Sequence, residues 1–209
     1  MNETIYSSDG LVSGLNADFA TARSTGTAVN SSAETSSVGT WWFGSPLNYY
    51  NVVRQFQYYD LSAIMGFVLS AKLMIKGDSK YEDEDDSGDS DVYVYEGTQA
   101  ETLTTEDFNA FGSTLFGSIA YASFNASQYN EIELNAAGIA YIQGKMGSEA
   151  KFCFRSGGDV NNNMPTDVNF VTWVSANYSG TGSDPYLYIE YVSVMGERMH
   201  KYIPPLRGF

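Results

Sequence analysis

The sequence has 209 residues, of which 43% are hydrophobic and 17% charged, and its formal net charge is −14. The hydrophobic content is sufficient for a buried core and argues against a wholly disordered chain. The acidic balance argues against nucleic acid and anionic membrane surfaces as partners, because phosphate groups bind cationic surfaces. Cys153 and His200 are the only residues of their types, which excludes an intramolecular disulfide, a thiolate metal cluster and a Ser-His-Asp triad in the folded body.

The first part of the chain predicts strands of increasing strength. Residues 16–39 are small and polar, which favours only weak edge strands. The aromatic-rich segment that follows predicts a strand over residues 52–59. In the next strand, Ala71, Leu73 and Ile75 alternate with lysine and methionine, which is the pattern of a strand buried on one face.

The run "GDSKYEDEDDSGDSD" after this strand predicts an exposed acidic loop. Its carboxylates Asp85, Asp86, Asp89 and Asp91 resemble the alternating oxygen ligands of calcium loops. Calcium is therefore the one candidate cofactor, although the run lacks the closing glutamate of an EF-hand. The alternative is a solvated loop that keeps the protein soluble.

Beyond the acidic loop, a strand is predicted over residues 92–96, followed by two short helical elements. Thr105 is predicted to cap a helical turn that ends at Gly112, and Asn135 to cap a helix that stops at Gly144. Three closing strands are predicted, in the segments "AKFCFRS", "NFVTWVSANY" and "PYLYIEYVSV". Short strands, turn-rich loops and one or two short helices predict an all-β sandwich.

Several segments, taken in order, resemble the DNRLRE family, which is related to the domains of carbohydrate-binding module family 96. The first is "VVRQFQYYDLSAIMGFVLSAKLMIKG", in which the matching positions are Arg54, Asp60, Leu61, Ser62, Ala71 and Leu73. The segments "LTTEDF", "YNEIELNAAGIAYI" and "DPYLYIEY" are similar to the later half of that family. The opening segment "TIYSSDGLVSG" also resembles the first strand of some members, so the similar segments together span roughly residues 4–192.

The resemblance implies a single jelly-roll β-sandwich domain over residues 1–192 that serves in display or adhesion. Relatives in this family occur in secreted bacterial surface proteins and as free-standing, phage-like virion proteins. The sequence shows no signal peptide, no tandem repeat and no apolar stretch long enough to span a bilayer. We therefore expect the virion form rather than a secreted adhesin.

Four aromatic residues could form a contact platform on the surface. They are Trp41, Trp42, Tyr49 and Tyr50. Such a group could stack on sugar rings or contact a partner protein. The alternative is that these side chains pack in the core or in an interface.

Two further side chains have predicted structural roles. Arg54 is expected to form a buried ion pair or backbone hydrogen bonds, with Asp60 as a candidate partner. Cys153, flanked by Phe152 and Phe154, is predicted to be a packed or surface thiol rather than a nucleophile.

Residues 193–209 extend beyond the resemblance and predict an extended C-terminal arm that docks on a neighbouring subunit. The two consecutive prolines favour a polyproline-type conformation, which loses little entropy on docking. The candidate contacts along the arm are Arg198, His200, Lys201, Tyr202, Ile203, Pro204, Pro205, Leu206, Arg207 and Phe209. The alternative is a frayed terminus.

These patterns together predict a non-enzymatic structural or decorating protein of a virus particle. Its expected partners are neighbouring virion or capsid subunits in a homo-oligomeric assembly. No pair of acidic residues lies in a recognisable catalytic setting. The alternatives are a carbohydrate-binding adhesion module that acts on polysaccharide and a subunit of an extracellular filament, both of which imply a secreted protein.

Overall fold

The computed structural model describes residues 1–86 and 88–193. Strands account for 51% of the residues and helices for 15%, so the prediction of an all-β fold is confirmed. The strands are β1 (Asn2–Tyr6), β2 (Ser8–Asn16), β3 (Ala28–Asn30), β4 (Thr35–Phe43), β5 (Tyr49–Asp60), β6 (Gly66–Tyr81), β7 (Val92–Gly97), β8 (Phe111–Ile119), β9 (Tyr129–Glu133), β10 (Glu149–Ser156), β11 (Val168–Val174) and β12 (Tyr186–Ser193). The helices are α1 (Phe19–Ser24), α2 (Ala136–Lys145) and α3 (Gly157–Asn161), with 3-10 turns at Thr105–Asn109 and Tyr121–Ser123. No helix in the described part of the chain has the length and apolar character needed to cross a membrane.

The strands form one curled antiparallel sheet in the order β1-β12-β6-β11-β4-β5-β10-β7-β8. Three further strands attach to this path, β2 at β5, β3 at β2 and β9 at β6. The long strand β6 changes partners along its length, because residues 66–74 pair with β12 whereas residues 77–81 pair with β11. One strand thus joins two parts of the sheet, which lets the sheet curl around a core.

Two clusters of buried side chains fill the curled sheet. In the larger cluster, the rings of Phe154 and Trp173 lie 5.4 Å apart, and Phe152 lies 5.7 Å from both Tyr59 and Tyr141. The smaller cluster includes the buried residues of α1 and consists of Val12, Phe19, Ala22, Val52, Phe56, Phe108 and Cys153. Since Cys153 is buried there, the prediction of a packed thiol is confirmed, and burial raises the pKa of that thiol to about 12.

The alternating pattern in β6 is confirmed. Ala71, Leu73 and Ile75 are buried, whereas Lys72 between them is half-exposed. Side chains alternate across a strand, so one face of β6 packs on the core and the other faces outward.

Helix α2 begins where the sequence predicts but ends later. The Asn135 side chain accepts hydrogen bonds from the backbone N–H groups of Ala137 and Gly138 at 2.9 and 3.1 Å, which confirms the predicted cap. The helix continues through the predicted stop at Gly144. The chain turns at Gly147 instead, whose φ of 80° lies in the left-handed region that favours glycine.

The helical turn after β7 differs from the prediction by one residue at its start. Thr104, not Thr105, precedes the turn, and Asp107 accepts hydrogen bonds from the Thr104 backbone N–H and hydroxyl at 2.8 and 3.1 Å. The turn ends at Asn109 rather than at Gly112, because Gly112 already lies in β8.

Arg54 forms a buried ion pair, as predicted, but not with Asp60. Its Nε and Nη2 atoms donate to the Asp159 carboxylate at 2.7 and 2.8 Å. Asp60 is exposed and accepts a hydrogen bond from the Ser62 backbone N–H at 2.8 Å. Arg54 and Asp60 lie six residues apart on β5, which separates them by about 20 Å along an extended strand.

A second enclosed carboxyl, that of Asp9 in β2, lacks a cationic partner in the described residues. It accepts hydrogen bonds from the Ser36 hydroxyl at 3.0 Å and from the Ala176 backbone N–H at 3.1 Å. Burial raises the pKa of Asp9 from 3.8 to about 6, and the charge of Asp184 adds to this effect. Ionised Asp9 therefore destabilises the folded state.

The raised pKa of Asp9 predicts a pH-dependent stability difference between the wild type and Asp9→Asn. Between 3.8 and about 6, the folded wild type binds more protons than the unfolded chain, so its unfolding free energy falls as the pH rises through this window. The unfolding free energy of Asp9→Asn minus that of the wild type should increase by about 2 to 3 kcal/mol between pH 4 and pH 7. Urea denaturation of both proteins across this range measures the difference, and a constant difference would contradict the prediction.

Candidate functional site

The outward face of β12 carries polar aromatic and acidic side chains. Leu187 and Ile189 are buried, and the alternating positions Tyr186, Tyr188 and Glu190 are half-exposed on the opposite face. This arrangement follows directly from the period of two in the strand sequence "YLYIEYVS". The outward side chains of β12 are therefore accessible to a ligand or partner.

The strand register places Tyr188 in a row that crosses four strands. Tyr188 lies opposite Thr4 of β1 on one side and Lys72 of β6 on the other, and Lys72 in turn lies opposite Glu133 of β9. Residues that are paired across an antiparallel ladder share a face of the sheet. An aromatic ring, an ammonium group and a carboxylate thus lie side by side.

A groove of about 440 Å³ opens at this row, and we call it the Tyr188 groove. Its lining combines acidic, basic, aromatic and aliphatic side chains, with Ile139 supplied by α2. The lining residues are Ser70, Ala71, Lys72, Glu133, Leu134, Ile139, Tyr188 and Glu190. The volume lies within the range of roughly 300 to 1,000 Å³ that is typical of ligand sites.

Some polar groups of the groove already form hydrogen bonds within the described part of the chain, and one does not. The Lys72 ammonium donates to the Glu131 carboxylate at 2.7 Å and lies 5.4 Å from the centre of the Tyr188 ring. The hydrogen bond that Lys72 donates to Glu131 is the main reason that the pKa of Lys72 is raised. The Ser70 hydroxyl donates to Glu190 at 2.9 Å. Within residues 1–86 and 88–193, the Glu133 carboxylate forms no hydrogen bond, which leaves it available to a ligand.

More tyrosines continue the same face beside the groove. The ring of Tyr186 lies 6.1 Å from that of Tyr6 and 5.3 Å from that of Tyr129. The Tyr129 hydroxyl donates to the backbone carbonyl of Asp184 at 3.0 Å, which holds its ring in place. The groove is therefore bordered by an ordered aromatic surface.

The other end of the face carries an exposed apolar patch, which consists of Met65, Phe67, Leu69 and Val192. Each of these side chains is at least 54% exposed. Phe67 lies opposite Val192 in the ladder between β6 and β12, and the register shifts next to Leu69, which leaves that residue outside the ladder. We call this surface the apolar patch. It lies where β12 ends at Ser193, directly before the predicted arm.

The four aromatic residues predicted as a contact platform do not share one surface. Trp42 and Tyr50 are cross-strand neighbours with rings 4.5 Å apart, whereas Trp41 stacks on Phe170 at 6.2 Å. Successive residues of a strand point to opposite faces, so Trp41 is separated from Trp42, and Tyr49 from Tyr50. All four are half-buried, and their rings pack against other aromatic rings.

The four aspartates of the acidic loop do not form a calcium site in this geometry. Calcium needs oxygen ligands that converge on one point at about 2.3 to 2.6 Å. Among the described residues, no group of three or more His, Cys, Asp or Glu side chains is positioned for a metal ion. The loop is less exposed than predicted, because Asp85 is exposed but Asp86 and Asp89 are buried. Three of the aspartates accept hydrogen bonds from other parts of the chain. The donors are Thr166 and Asn169 for Asp86, Asn163 for Asp89 and Tyr121 for Asp91.

The predicted docking residues of the arm, from Arg198 to Phe209, lie outside the described residues. Strand β12 extends to Ser193, one residue past the predicted domain boundary. The Tyr188 groove and the apolar patch were both missed at the level of sequence. The only local signal for the groove was the outward half of the alternating segments "YNEIE" and "YLYIEYVS".

Comparison with protein-family models found none that matches this chain. Comparison with curated proteins found no significant match either. The resemblance to the DNRLRE family therefore stays a prediction from the quoted segments.

Proposed function

We propose that this protein is a non-enzymatic structural protein that decorates a virus particle. In this proposal a jelly-roll β-sandwich spans residues 1–192, and residues 193–209 dock on a neighbouring subunit. The order of the family-like segments and the curled antiparallel sheet support such a domain. The fold alone is compatible with many roles, so the proposal depends on a surface.

The observation that carries the proposal is the apolar patch. Its four side chains lie together at the end of β12, each more than half exposed to solvent. Contiguous exposed apolar surface is typical of protein contact sites, because leaving it in water is unfavourable. We assign as its occupant residues 194–209 of a second copy of the chain.

Charge complementarity supports this choice of occupant. Residues 194–209 contain three Lys or Arg residues and one Glu, a net charge of +2, which leaves −16 for residues 1–193 of the total of −14. Opposite charges steer association, whereas two acidic bodies without such a segment repel each other. The arm also contains Tyr202, Ile203, Leu206 and Phe209, whose side chains match an apolar surface.

Removing residues 193–209, or replacing Phe67 with aspartate, is expected to convert an oligomer into a monomer. Phe67 is 64% exposed, so aspartate is tolerated in the free subunit, but it places an unpaired charge in the assembled contact. Analytical ultracentrifugation of the three proteins at equal concentration measures the change.

Leu47→Asp is the matched control, because Leu47 is 58% exposed in the turn between β4 and β5 and lies outside the apolar patch. This variant should associate like the wild type. Undiminished association of the truncated chain would contradict docking through the arm, and undiminished association of Phe67→Asp would exclude the patch as its acceptor.

Negative-stain images of the full-length assembly separate a closed oligomer from a filament, since head-to-tail docking gives either a ring or an open helix. The location in a virus particle has an independent test in the gene's neighbourhood. We expect capsid, portal and terminase genes there, and a cluster of polysaccharide-degrading genes would contradict the virion role.

A further inference from the structure

The Tyr188 groove has an excess of negative charge. Among the described residues that line it, Lys72 is the one cation, and that ammonium is bound to Glu131 at 2.7 Å. Glu133 and Glu190 form no ion pair within the described residues, although Glu190 accepts the Ser70 hydroxyl at 2.9 Å. The groove therefore repels anions and attracts cations.

The geometry of the lining favours a guanidinium or ammonium group attached to a peptide. Carboxylates form short, strong hydrogen bonds with such cations, and an arginine can bind one of them in a bidentate manner. A cation also binds favourably over the face of a tyrosine ring, which Tyr188 supplies at the groove wall.

The groove and the apolar patch form one continuous surface. Glu190 in the groove and Val192 in the patch are two residues apart on β12, a separation of about 7 Å along the strand. An occupant that places a cation in the groove therefore reaches the patch with a neighbouring side chain.

The sequence of the arm has this alternation of charge and apolar character. Lys201 is followed by Tyr202 and Ile203, and Leu206 is followed by Arg207. We propose that the Tyr188 groove is the acceptor for the basic residues of the arm of a second copy, while the apolar patch takes their apolar neighbours. This inference rests on the proposed function, because it names the surface on which the arm docks.

The direction of β12 favours a second copy over the same chain. β12 runs from Tyr186 past the groove and the patch to Ser193, so an arm of the same chain would have to reverse direction to reach the groove. When two copies approach with their β12 strands antiparallel, the arm of each copy can reach the Tyr188 groove of the other copy. Such an exchange is an isologous contact, which closes as a dimer.

The test uses the full chain with Glu133→Gln and Glu190→Gln combined, which removes both charges and keeps the side-chain shapes. We expect the dissociation constant of the assembly to rise at least about 10-fold and its salt dependence to flatten, as measured by sedimentation at 50 and 300 mM salt. Glu101→Gln combined with Glu149→Gln is the matched control, because both residues are exposed outside the groove and the net charge changes equally. This control should stay within about 2-fold of the wild type.

A charge reversal on both sides of the contact tests whether association can be restored. Glu133→Lys with Glu190→Lys should abolish association, and adding Lys201→Glu with Arg207→Glu to the same chain should restore it. Suppose that deletion of the arm gives a monomer but the glutamine double variant associates with wild-type affinity. This result would overturn the groove assignment and leave the proposed function intact. Association that survives the arm deletion would contradict the proposed function itself.

A saccharide is the competing occupant of a groove with an aromatic wall. Calorimetric titration of the full chain with the neutral probes cellohexaose and laminarihexaose should show no binding. Binding that is lost in Tyr188→Ala and kept in Trp42→Ala would overturn the peptide assignment and make the groove a carbohydrate site.

Discussion

Replacing Asp159 with asparagine is expected to lower the free energy of unfolding by about 3 to 5 kcal/mol, because it leaves buried cations without a counter-charge. The Asp159 carboxylate is fully buried and accepts hydrogen bonds from Arg54 at 2.7 and 2.8 Å and from Arg155 at 2.7 Å. Arg23 approaches the same carboxylate to 3.4 Å. Asparagine keeps the size of the side chain, so the loss measures charge and hydrogen bonding rather than packing.

The pH dependence of this interaction has a definite sign. Burial by itself would raise the pKa of Asp159, but hydrogen bonds from Arg54 and Arg155 outweigh burial and hold the pKa well below its ordinary value. A carboxyl group whose folded pKa is depressed stabilises the protein above its unfolded pKa and loses that effect as the pH falls through the folded value. The stabilisation is therefore complete at neutral pH and is lost only in strong acid.

Asp60→Asn is the matched control for Asp159→Asn. Asp60 is exposed, and its carboxylate accepts one hydrogen bond, from the Ser62 backbone N–H. Its replacement should change the free energy of unfolding by less than about 1 kcal/mol. Urea denaturation at pH 7 measures both variants, and equal losses would contradict a strong stabilising effect of the buried Asp159 network.

Phe152→Ala is expected to lower the free energy of unfolding by about 3 to 5 kcal/mol through the cavity it creates. The Phe152 side chain is fully buried in the larger core cluster. Its ring lies 5.7 Å from those of Tyr59 and Tyr141 and 6.2 Å from that of Phe116. These rings come from β5, α2 and β8, so Phe152 packs three separate elements together in the core.

The same substitution at an exposed site separates folding from association. Phe67→Ala removes an identical side chain that is 64% exposed, so its effect on the unfolding free energy of the monomer should stay below about 1 kcal/mol. Urea denaturation of both variants at a concentration below that of association gives the comparison. A loss at Phe67 as large as that at Phe152 would mean that the apolar patch is part of the core.

Local sequence patterns predicted the elements whose causes are local. The alternation at Ala71, Leu73 and Ile75 identified the buried face of β6, because a strand has a strict period of two. Asn135 identified the start of α2, because a side-chain oxygen satisfies free N–H groups only two or three residues away. The exact helix end was less predictable, since both Gly144 and Gly147 can stop a helix.

Contacts between residues that are distant in the sequence could not be predicted from local patterns. Arg54 was predicted to be buried and paired, but its partner Asp159 lies 105 residues away and was not identified. For the aspartates of the acidic loop, proximity in sequence suggested a shared calcium ion, whereas Asp86 and Asp89 accept hydrogen bonds from two different side chains, Asn169 in β11 and Asn163 after α3.

The amino-acid sequence by itself determined that this protein is an acidic, all-β protein, where several of its strands lie, and that its basic apolar segment follows the last of them. Only the tertiary structure decided which outward-facing residues lie next to each other on the surface. The Tyr188 groove needs Glu133, Lys72 and Tyr188 from β9, β6 and β12 in one row, and the apolar patch needs Phe67 opposite Val192. Strand register sets both, and register depends on the packing of the whole core rather than on any local pattern.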